Sequence, residues 1–171
     1  ERYLRRILTA QIYDVARETP LEVAETLSER LQNRIFLKRE DLQTVFSFKL
    51  RGAYNKMANL TQAELKNGVV AASAGNHAQG VALAARKLGI KATIFMPDTT
   101  PRIKVNAVRG YGATTKLTGD SYDDAYQAAV HYCKDKGGVF IHPYDDPYVI
   151  AGQGTIGFEI LKQHKSLPDM G

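Results

Sequence analysis

The stretch Val69-Val70-Ala71-Ala72-Ser73-Ala74-Gly75-Asn76-His77 decides the fold of this chain. Its first four residues are apolar, as in a buried strand, and residues 73–76 have the small and polar character of a loop. Apolar residues then recur at helical spacing over residues 77–88, and Gly89 stands where a glycine commonly ends a helix. The stretch therefore predicts a strand–loop–helix unit, from which parallel α/β sheets are built.

The same order of strand and helix continues downstream. Further strands are predicted at residues 91–96, 114–117 and 139–141. Further helices are predicted at residues 102–110, 122–136 and 147–164. This alternation predicts an α/β fold, a doubly wound open parallel sheet with helices on both faces. Ligands of such sheets bind at the carboxyl ends of the strands, which here precede residues 73–76, 97–100 and 142–145.

The residues upstream of this unit have a less regular pattern. Helices are predicted at residues 3–15, 23–31 and 48–59, and a strand at residues 34–38. Ser47 precedes the last of these helices. A serine hydroxyl in that position can accept a hydrogen bond from the first turn, so we expect Ser47 to be the N-cap.

The composition excludes several classes of protein. Hydrophobic residues make up 44% and charged residues 24% of 171 residues, which is ordinary for a globular domain. The net charge of +5 is spread along the chain without a basic stripe, so we expect no nucleic-acid partner. No apolar run is long enough to cross a membrane. Cys133 is the only cysteine, so no intrachain disulfide can form, and we expect the cytoplasm. The start at Glu1 leaves an organelle, after loss of a transit peptide, as an alternative.

Lys49 lies between the apolar residues Phe48 and Leu50, and burial among such neighbours would lower its pKa and favour the reactive neutral amine. A single lysine on a helix is more often a surface residue. The string over residues 37–55, with Ser47-Phe48-Lys49-Leu50-Arg51-Gly52 at its centre, resembles the cofactor-lysine segment of pyridoxal-phosphate-dependent threonine dehydratases. The resemblance implies that Lys49 bonds covalently to pyridoxal 5'-phosphate and that Phe48 packs on the pyridine ring.

The loop Ser73-Ala74-Gly75-Asn76-His77 can receive an anion, because small residues expose backbone N–H groups and the next helix begins there. Asn76 could equally be a helix cap, and His77 could be a base, a metal ligand or only the start of the helix. Family resemblance implies that these five residues bind the substrate carboxylate and that Asn76 also contacts the cofactor ring.

Gln153 lies between two glycines in Ala151-Gly152-Gln153-Gly154-Thr155. By resemblance Gln153 is a substrate contact, while close packing of the helix is an equally good explanation. Asp145 and Asp146 could be read as paired carboxylates, but beside Pro147 we expect them to cap the next helix. The histidines have no spacing typical of a metal site, and we expect no metal.

The resemblance to the biosynthetic threonine dehydratases extends over nearly the whole chain, and the expected fold is that of fold-type II, tryptophan synthase β-like enzymes. It implies a lyase that converts L-threonine to 2-oxobutyrate and ammonia, the first step of isoleucine biosynthesis. Alternatives are a catabolic serine/threonine dehydratase, a serine racemase-like enzyme, or a non-catalytic α/β binding module. In serine racemases a second serine stands at the position of Ala74, and its hydroxyl supplies a proton. The methyl group of Ala74 has no proton to transfer, so Ala74 argues against racemisation.

The domain organisation expected from the family has three parts. Residues 1–52 would belong to the large cofactor domain, residues 53–164 would form a small α/β subdomain, and residues 165–171 would begin the return to the large domain. The sequence ends at Gly171, before the glycine-rich phosphate loop of the family. We therefore expect an N-terminal fragment that is inactive alone, from an enzyme that acts on threonine, or on serine, as a homo-oligomer.

Overall fold

The N-terminal part of the chain is less helical than its sequence pattern predicts. The computed structural model describes residues 2–164, and its first helix, α1, covers only Arg2–Leu8. The predicted helix over residues 3–15 is therefore too long. The Thr9 hydroxyl donates to the carbonyl of Arg5 at 3.0 Å, and the Gln11 N–H then donates to the side chain of Asn55 at 2.9 Å. This distant partner draws the chain out of the helix.

A two-stranded antiparallel ribbon follows. It consists of β1, Leu21–Val23, and β2, Phe36–Lys38, with helix α2, Glu25–Leu31, between them. Residues 23 and 24 were expected in the helix, but Val23 pairs with Phe36 in the ribbon. Pairing with a distant strand thus overrides the local helical pattern.

Helix α3 covers Lys49–Ala58 and is followed by the short helix α4, Gln62–Leu65, which the pattern did not predict. The residue before α3 is Phe48, so the predicted N-cap lies one position too early. The Ser47 hydroxyl nevertheless accepts a hydrogen bond from the Lys49 N–H at 3.2 Å. The first turn of α3 therefore has a side-chain acceptor close to its start.

The remaining elements alternate as predicted. They are β3 Val69–Ala72, α5 Asn76–Leu88, β4 Ala92–Met96, α6 Arg102–Gly110, β5 Thr114–Leu117, α7 Tyr122–Lys136, β6 Val139–Phe140 and α8 Pro147–Gln163. The four strands pair in parallel in the order β5-β4-β3-β6. This confirms the predicted open parallel sheet.

The two faces of the sheet are covered by different helices. Val69 and Ala71 of β3 pack in a large apolar core with residues of α3, α5 and α6. Val70 and Ala72 point to the other face and pack with Ala125 of α7. Helices on both faces confirm the doubly wound arrangement, so the chain crosses from one face to the other at the carboxyl ends of the strands.

Helices α3 and α8 approach each other closely through glycines. A Cβ added to Gly152 would lie 2.6 Å from the carbonyl oxygen of Arg51, and one added to Gly52 would lie 2.7 Å from that of Val149. The proposed domain boundary between residues 52 and 53 falls inside α3, and residues 165–171 lie outside the described residues. The division into subdomains stays a prediction. Among residues 2–164, no helix is long and apolar enough to cross a membrane.

Candidate active site

Lys49 lies at the start of α3, at the carboxyl edge of the parallel sheet. Its Nζ donates to the carbonyl oxygen of Pro143, in the loop after β6, at 2.8 Å. It also lies 5.5 Å from the centre of the Phe48 ring. Burial lowers the pKa of Lys49. A half-buried lysine with a depressed pKa is more often neutral, and the neutral amine is the form that attacks an aldehyde.

Close packing between α3 and α5 fixes the backbone at Lys49. A Cβ added to Gly80 of α5 would lie 3.0 Å from the backbone nitrogen of Leu50 and 3.1 Å from the carbonyl carbon of Lys49. Leu50 itself is fully buried in the core. The glycine at position 80 therefore allows the helix that follows the predicted anion loop to lie directly against the lysine.

The loop between β3 and α5 is held at its start and open at its end. The Ser73 N–H donates to the Phe95 carbonyl at 3.0 Å, and the Ser73 hydroxyl accepts from the Gly75 N–H at 3.2 Å. Gly75 is the residue before α5, and no side chain of residues 2–164 caps this helix. A Cβ added to Gly75 would meet no atom of the described residues within 4 Å. With half-buried Ala74 between them, these residues leave room for an anion at the positive end of α5.

Asn76 is the first residue of α5 and its side chain is exposed. Within residues 2–164 the Asn76 amide has no hydrogen-bond partner. It does not cap the helix, because the residue before the helix is Gly75. The amide is therefore free to bind a ligand at this edge of the sheet, and its predicted contact with a cofactor ring stays a prediction.

His77 is buried, with 4% of its surface exposed. Its Nε2 lies 2.9 Å from the carbonyl oxygen of Ile141, and since a carbonyl only accepts, Nε2 carries the proton. Burial lowers the pKa of His77 to about 4. Nδ1 is buried without a hydrogen-bond partner among the described residues. The neutral imidazole of His77 therefore joins α5 to Ile141. The carbonyl that accepts from Lys49 belongs to Pro143, two residues after Ile141.

The loop after β6 is shaped by its own side chains. The ring of His142 accepts hydrogen bonds at Nδ1 from the N–H groups of Tyr144 and Asp145, at 3.3 and 2.7 Å. Asp146 then caps α8, accepting from the N–H groups of Tyr148 and Val149. The predicted cap at residues 145–146 is confirmed for Asp146.

Gln153 lies in the contact between α3 and α8. Its Oε1 accepts a hydrogen bond from the Gly52 N–H at 3.1 Å, which satisfies a backbone donor of the first turn of α3. Its Nε2 is buried without a partner in the described part of the chain. The structure gives Gln153 a packing role, and its predicted contact with the substrate stays a prediction.

Sequence reasoning missed three parts of this site. The acceptor of Lys49 is a backbone carbonyl, at Pro143, and such groups leave no side-chain signal. Gly80 is a single glycine inside a helical pattern and has no motif of its own, although it controls how closely α5 approaches Lys49. Arg51 is fully buried, whereas a charged residue on a helix is expected to be exposed.

Other side chains offer no second centre in the part of the chain that the structure describes. No group of three or more histidine, cysteine, aspartate or glutamate residues could hold a metal ion there. Cys133 is half-buried, and burial raises the pKa of its thiol. A thiol with a raised pKa is a poor nucleophile at neutral pH.

Comparison with known proteins agrees with this geometry. Residues 12–170 match the family described as pyridoxal-phosphate dependent enzymes. The chain is 59% identical over 166 residues to the L-threonine dehydratase biosynthetic IlvA of Burkholderia multivorans, covering 95% of this chain and 33% of that protein. It is 58% identical over 163 residues to the threonine dehydratase biosynthetic, chloroplastic, of Arabidopsis thaliana, covering 95% and 28%. The chain thus spans about a third of the length of these curated relatives.

Two solved structures show the same fold. The processed form of threonine deaminase isoform 2 from Solanum lycopersicum matches with a TM-score of 0.93 and 55% identity, over 97% of this chain and 46% of that one. Maize serine racemase matches with a TM-score of 0.90 and 33% identity, over 96% and 50%. The predicted fold family is therefore confirmed.

Proposed function

The chain belongs to the family of pyridoxal-phosphate dependent enzymes, and from that premise we propose that it carries the cofactor lysine and the carboxylate loop of an L-threonine ammonia-lyase. That enzyme converts L-threonine to 2-oxobutyrate and ammonia, the entry to isoleucine biosynthesis. The observation that carries the proposal is the packing of α5, the helix that follows the loop over residues 73–76, against the backbone of Lys49, in a chain 59% identical to a biosynthetic threonine dehydratase.

The residues around Lys49 fit pyridoxal phosphate. The amine is half-buried, its pKa is lowered by burial, and the exposed Phe48 ring lies beside it to support a flat heterocycle. The amide of Asn76 has no partner within residues 2–164 and can donate to an oxygen on such a ring. Among residues 2–164 no side chain caps α5, so its first N–H groups can donate hydrogen bonds to a carboxylate.

Bound pyridoxal phosphate would supply an electron sink for the pair of electrons that the Cα–H bond leaves behind. The protein residues would supply position and proton transfer. The loop over residues 73–76 and the N-terminus of α5 would hold the substrate carboxylate, and thereby orient the Cα–H bond towards Lys49. The neutral Nζ of Lys49 would take that proton.

The compartment and assembly are part of the proposal. The Arabidopsis relative is named chloroplastic and a Schizosaccharomyces pombe relative mitochondrial. We place the protein in the cytoplasm, or in an organelle if the gene encodes a transit peptide, and we expect the full-length enzyme to be a homo-oligomer. An amino acid, threonine or serine, is the expected small-molecule partner.

A spectroscopic titration tests the proposal. Pyridoxal phosphate is added to the protein and to Lys49→Ala, and the visible absorbance is recorded before and after addition of L-threonine. We expect a band that requires Lys49 and that L-threonine changes more than D-threonine does. Borohydride reduction followed by peptide mass analysis locates the attached group. Equal bands in the two proteins, or attachment spread evenly over the lysines, would refute the proposal.

A further inference from the structure

Arg51 lies two residues after Lys49, in the first turn of α3, and its side chain is fully buried. The guanidinium binds two carboxylates at once. Nε and Nη2 donate to Glu40 at 2.8 and 2.7 Å, and Nη1 and Nη2 donate to Glu159 at 2.6 and 2.9 Å. Two bidentate contacts fix both the position and the plane of the guanidinium.

Further partners close the network. Arg51 also donates to the Thr155 hydroxyl at 3.1 Å, and Lys38 Nζ lies 2.7 Å from the Glu159 carboxylate. Two cations thus face two anions. Burial alone would raise the pKa of Glu159, but hydrogen bonds from Arg51 and Lys38 lower it overall, so the carboxylate stays ionised. The network joins β2, α3 and α8 to the turn that holds Glu40.

Stability alone is a weak reason for such a network. The cost of removing four charges from water is comparable to what their contacts return, and apolar side chains of similar size often serve as well. What apolar side chains cannot supply is direction, because their contacts do not specify an angle. The network specifies the rotation and the axial position of α3 through Arg51.

The opposite side of the same turn is also fixed. Gly80 of α5 leaves no spare room against the backbone of Lys49 and Leu50. The first turn of α3 therefore lies between α5 on one side and the charge network on the other. Lys49 Nζ, at the end of a flexible stem, reaches the Pro143 carbonyl from this fixed base.

We propose that Arg51 is a positioning residue for Lys49: its two bidentate contacts, with Glu40 and Glu159, set the place of α3 that puts Lys49 Nζ against the Pro143 carbonyl. The inference rests on the proposed function of Lys49 as the cofactor lysine. We assign Arg51 no contact with the substrate. Its effect is transmitted through the backbone of one helical turn.

The test measures the reactivity of Lys49 with pyridoxal, an aldehyde without the phosphate group. The protein is treated with pyridoxal at a series of pH values and reduced with borohydride, and the labelling of Lys49 is compared by peptide mass analysis with that of the exposed Lys87 in the same digest. Only the neutral amine reacts, so the midpoint of the pH profile reports the protonation of each lysine. The charges that act on His77 of α5 include those of Lys49 and His142, and both histidines are unchanged in every variant.

Arg51→Lys is the decisive variant, because it keeps the charge and loses the planar fork. If Arg51 acts only through its charge, the Lys49 midpoint stays where it is. If Arg51 acts by positioning α3, Lys49 becomes more exposed in the variant and the midpoint of its labelling rises by about one pH unit. At a pH below the midpoint, labelling of Lys49 then falls by about tenfold. Thr155→Val, which removes a neutral hydroxyl partner of Arg51, should shift the midpoint in the same direction by less.

Two control variants distinguish a change in the position of α3 from a general loss of stability. Arg109→Lys makes the same exchange on α6, where the Arg109 side chain hydrogen-bonds Thr115 and no other residue of the described part of the chain. Ala129→Gly weakens α7 on the other face of the sheet. Neither should move the Lys49 midpoint. An unchanged midpoint in folded Arg51→Lys and in Thr155→Val would overturn the inference, whereas no preference for Lys49 over Lys87 in the unaltered protein would overturn the proposed function itself.

Discussion

Gly80→Ala is the substitution that the packing around Lys49 predicts most sharply. The added methyl would lie 3.0 Å from the Leu50 nitrogen and 3.1 Å from the Lys49 carbonyl carbon. Carbon atoms rest at ~3.5–4 Å, so α3 and α5 must separate by about half an ångström. Overpacking of this kind costs about 1–3 kcal/mol. Alanine in a helix returns about 1 kcal/mol over glycine, so we expect a net loss of about 1 kcal/mol in the free energy of unfolding.

Gly157→Ala is the matched control for this prediction. Gly157 also lies inside a helix, α8, but a Cβ there would meet no atom of residues 2–164 within 4 Å. Its substitution should stabilise the protein by about 1 kcal/mol through helix propensity alone. Urea unfolding of the two variants beside the unaltered protein gives both changes. The two substitutions should therefore differ by about 2 kcal/mol, with opposite signs.

The same pair of variants also reports on Lys49. Displacement of α3 by Gly80→Ala should weaken the contact between Lys49 Nζ and the Pro143 carbonyl and raise the midpoint of pyridoxal labelling, while Gly157→Ala should leave it unchanged. A Gly80→Ala protein as stable as Gly157→Ala, with unaltered labelling of Lys49, would show that the contact between α3 and α5 has room for a methyl group and would refute the reasoning.

Three further predictions follow from the site. Because the pKa of His77 is lowered from 6.5 to about 4, the unfolded chain binds the proton more readily than the folded one. The free energy of unfolding should therefore fall by up to about 3 kcal/mol as the pH decreases through that range. Urea unfolding at several pH values should show that the free energy of unfolding depends less on pH in His77→Gln. Gln153→Met removes the acceptor of the Gly52 N–H and should lower the free energy of unfolding by about 1–2 kcal/mol, measured by urea, whereas a neutral effect would contradict the packing role. Asp146→Ala removes the cap of α8 and should cost about 1 kcal/mol in thermal or urea unfolding, while Asp146→Asn, which keeps an acceptor oxygen, should cost less.

The sequence pattern predicts residues 69–163 well because each element there has its own local signal. Apolar runs mark the buried strands, and glycines such as Gly89 and Gly137 end the helices with the left-handed conformation that glycine adopts most easily. The first part of the chain lacks such signals. Residues 21–23 form a strand only because residues 36–38 lie beside them, and α1 ends early because a distant side chain, Asn55, binds the backbone.

The candidate site divides in the same way. Lys49 and the loop over residues 73–76 could be singled out from the sequence: Lys49 by the resemblance of residues 37–55 to a family segment, and the loop by its small residues between a predicted strand and a predicted helix. Their roles stay predictions. The carbonyl of Pro143 and the buried charges around Arg51 could not be singled out in this way. The first has no side-chain chemistry, and the second depends on Glu40 and Glu159, which lie far apart in sequence and meet only in the folded chain.

The candidate site combines Lys49 at the start of α3 with the loop that leads into α5. The backbone N–H groups at the start of these two helices have different partners. In the first turn of α3 the N–H groups of Lys49 and Gly52 are satisfied by Ser47 and Gln153. At the start of α5 no side chain among the described residues does the same, although α7 and α8 both have capping residues. A missing cap costs a helix about 1 kcal/mol. A carboxylate bound at the start of α5 would accept hydrogen bonds from those N–H groups. The uncapped end of α5, which lowers the stability of the helix, is therefore also the end at which the proposed substrate would bind.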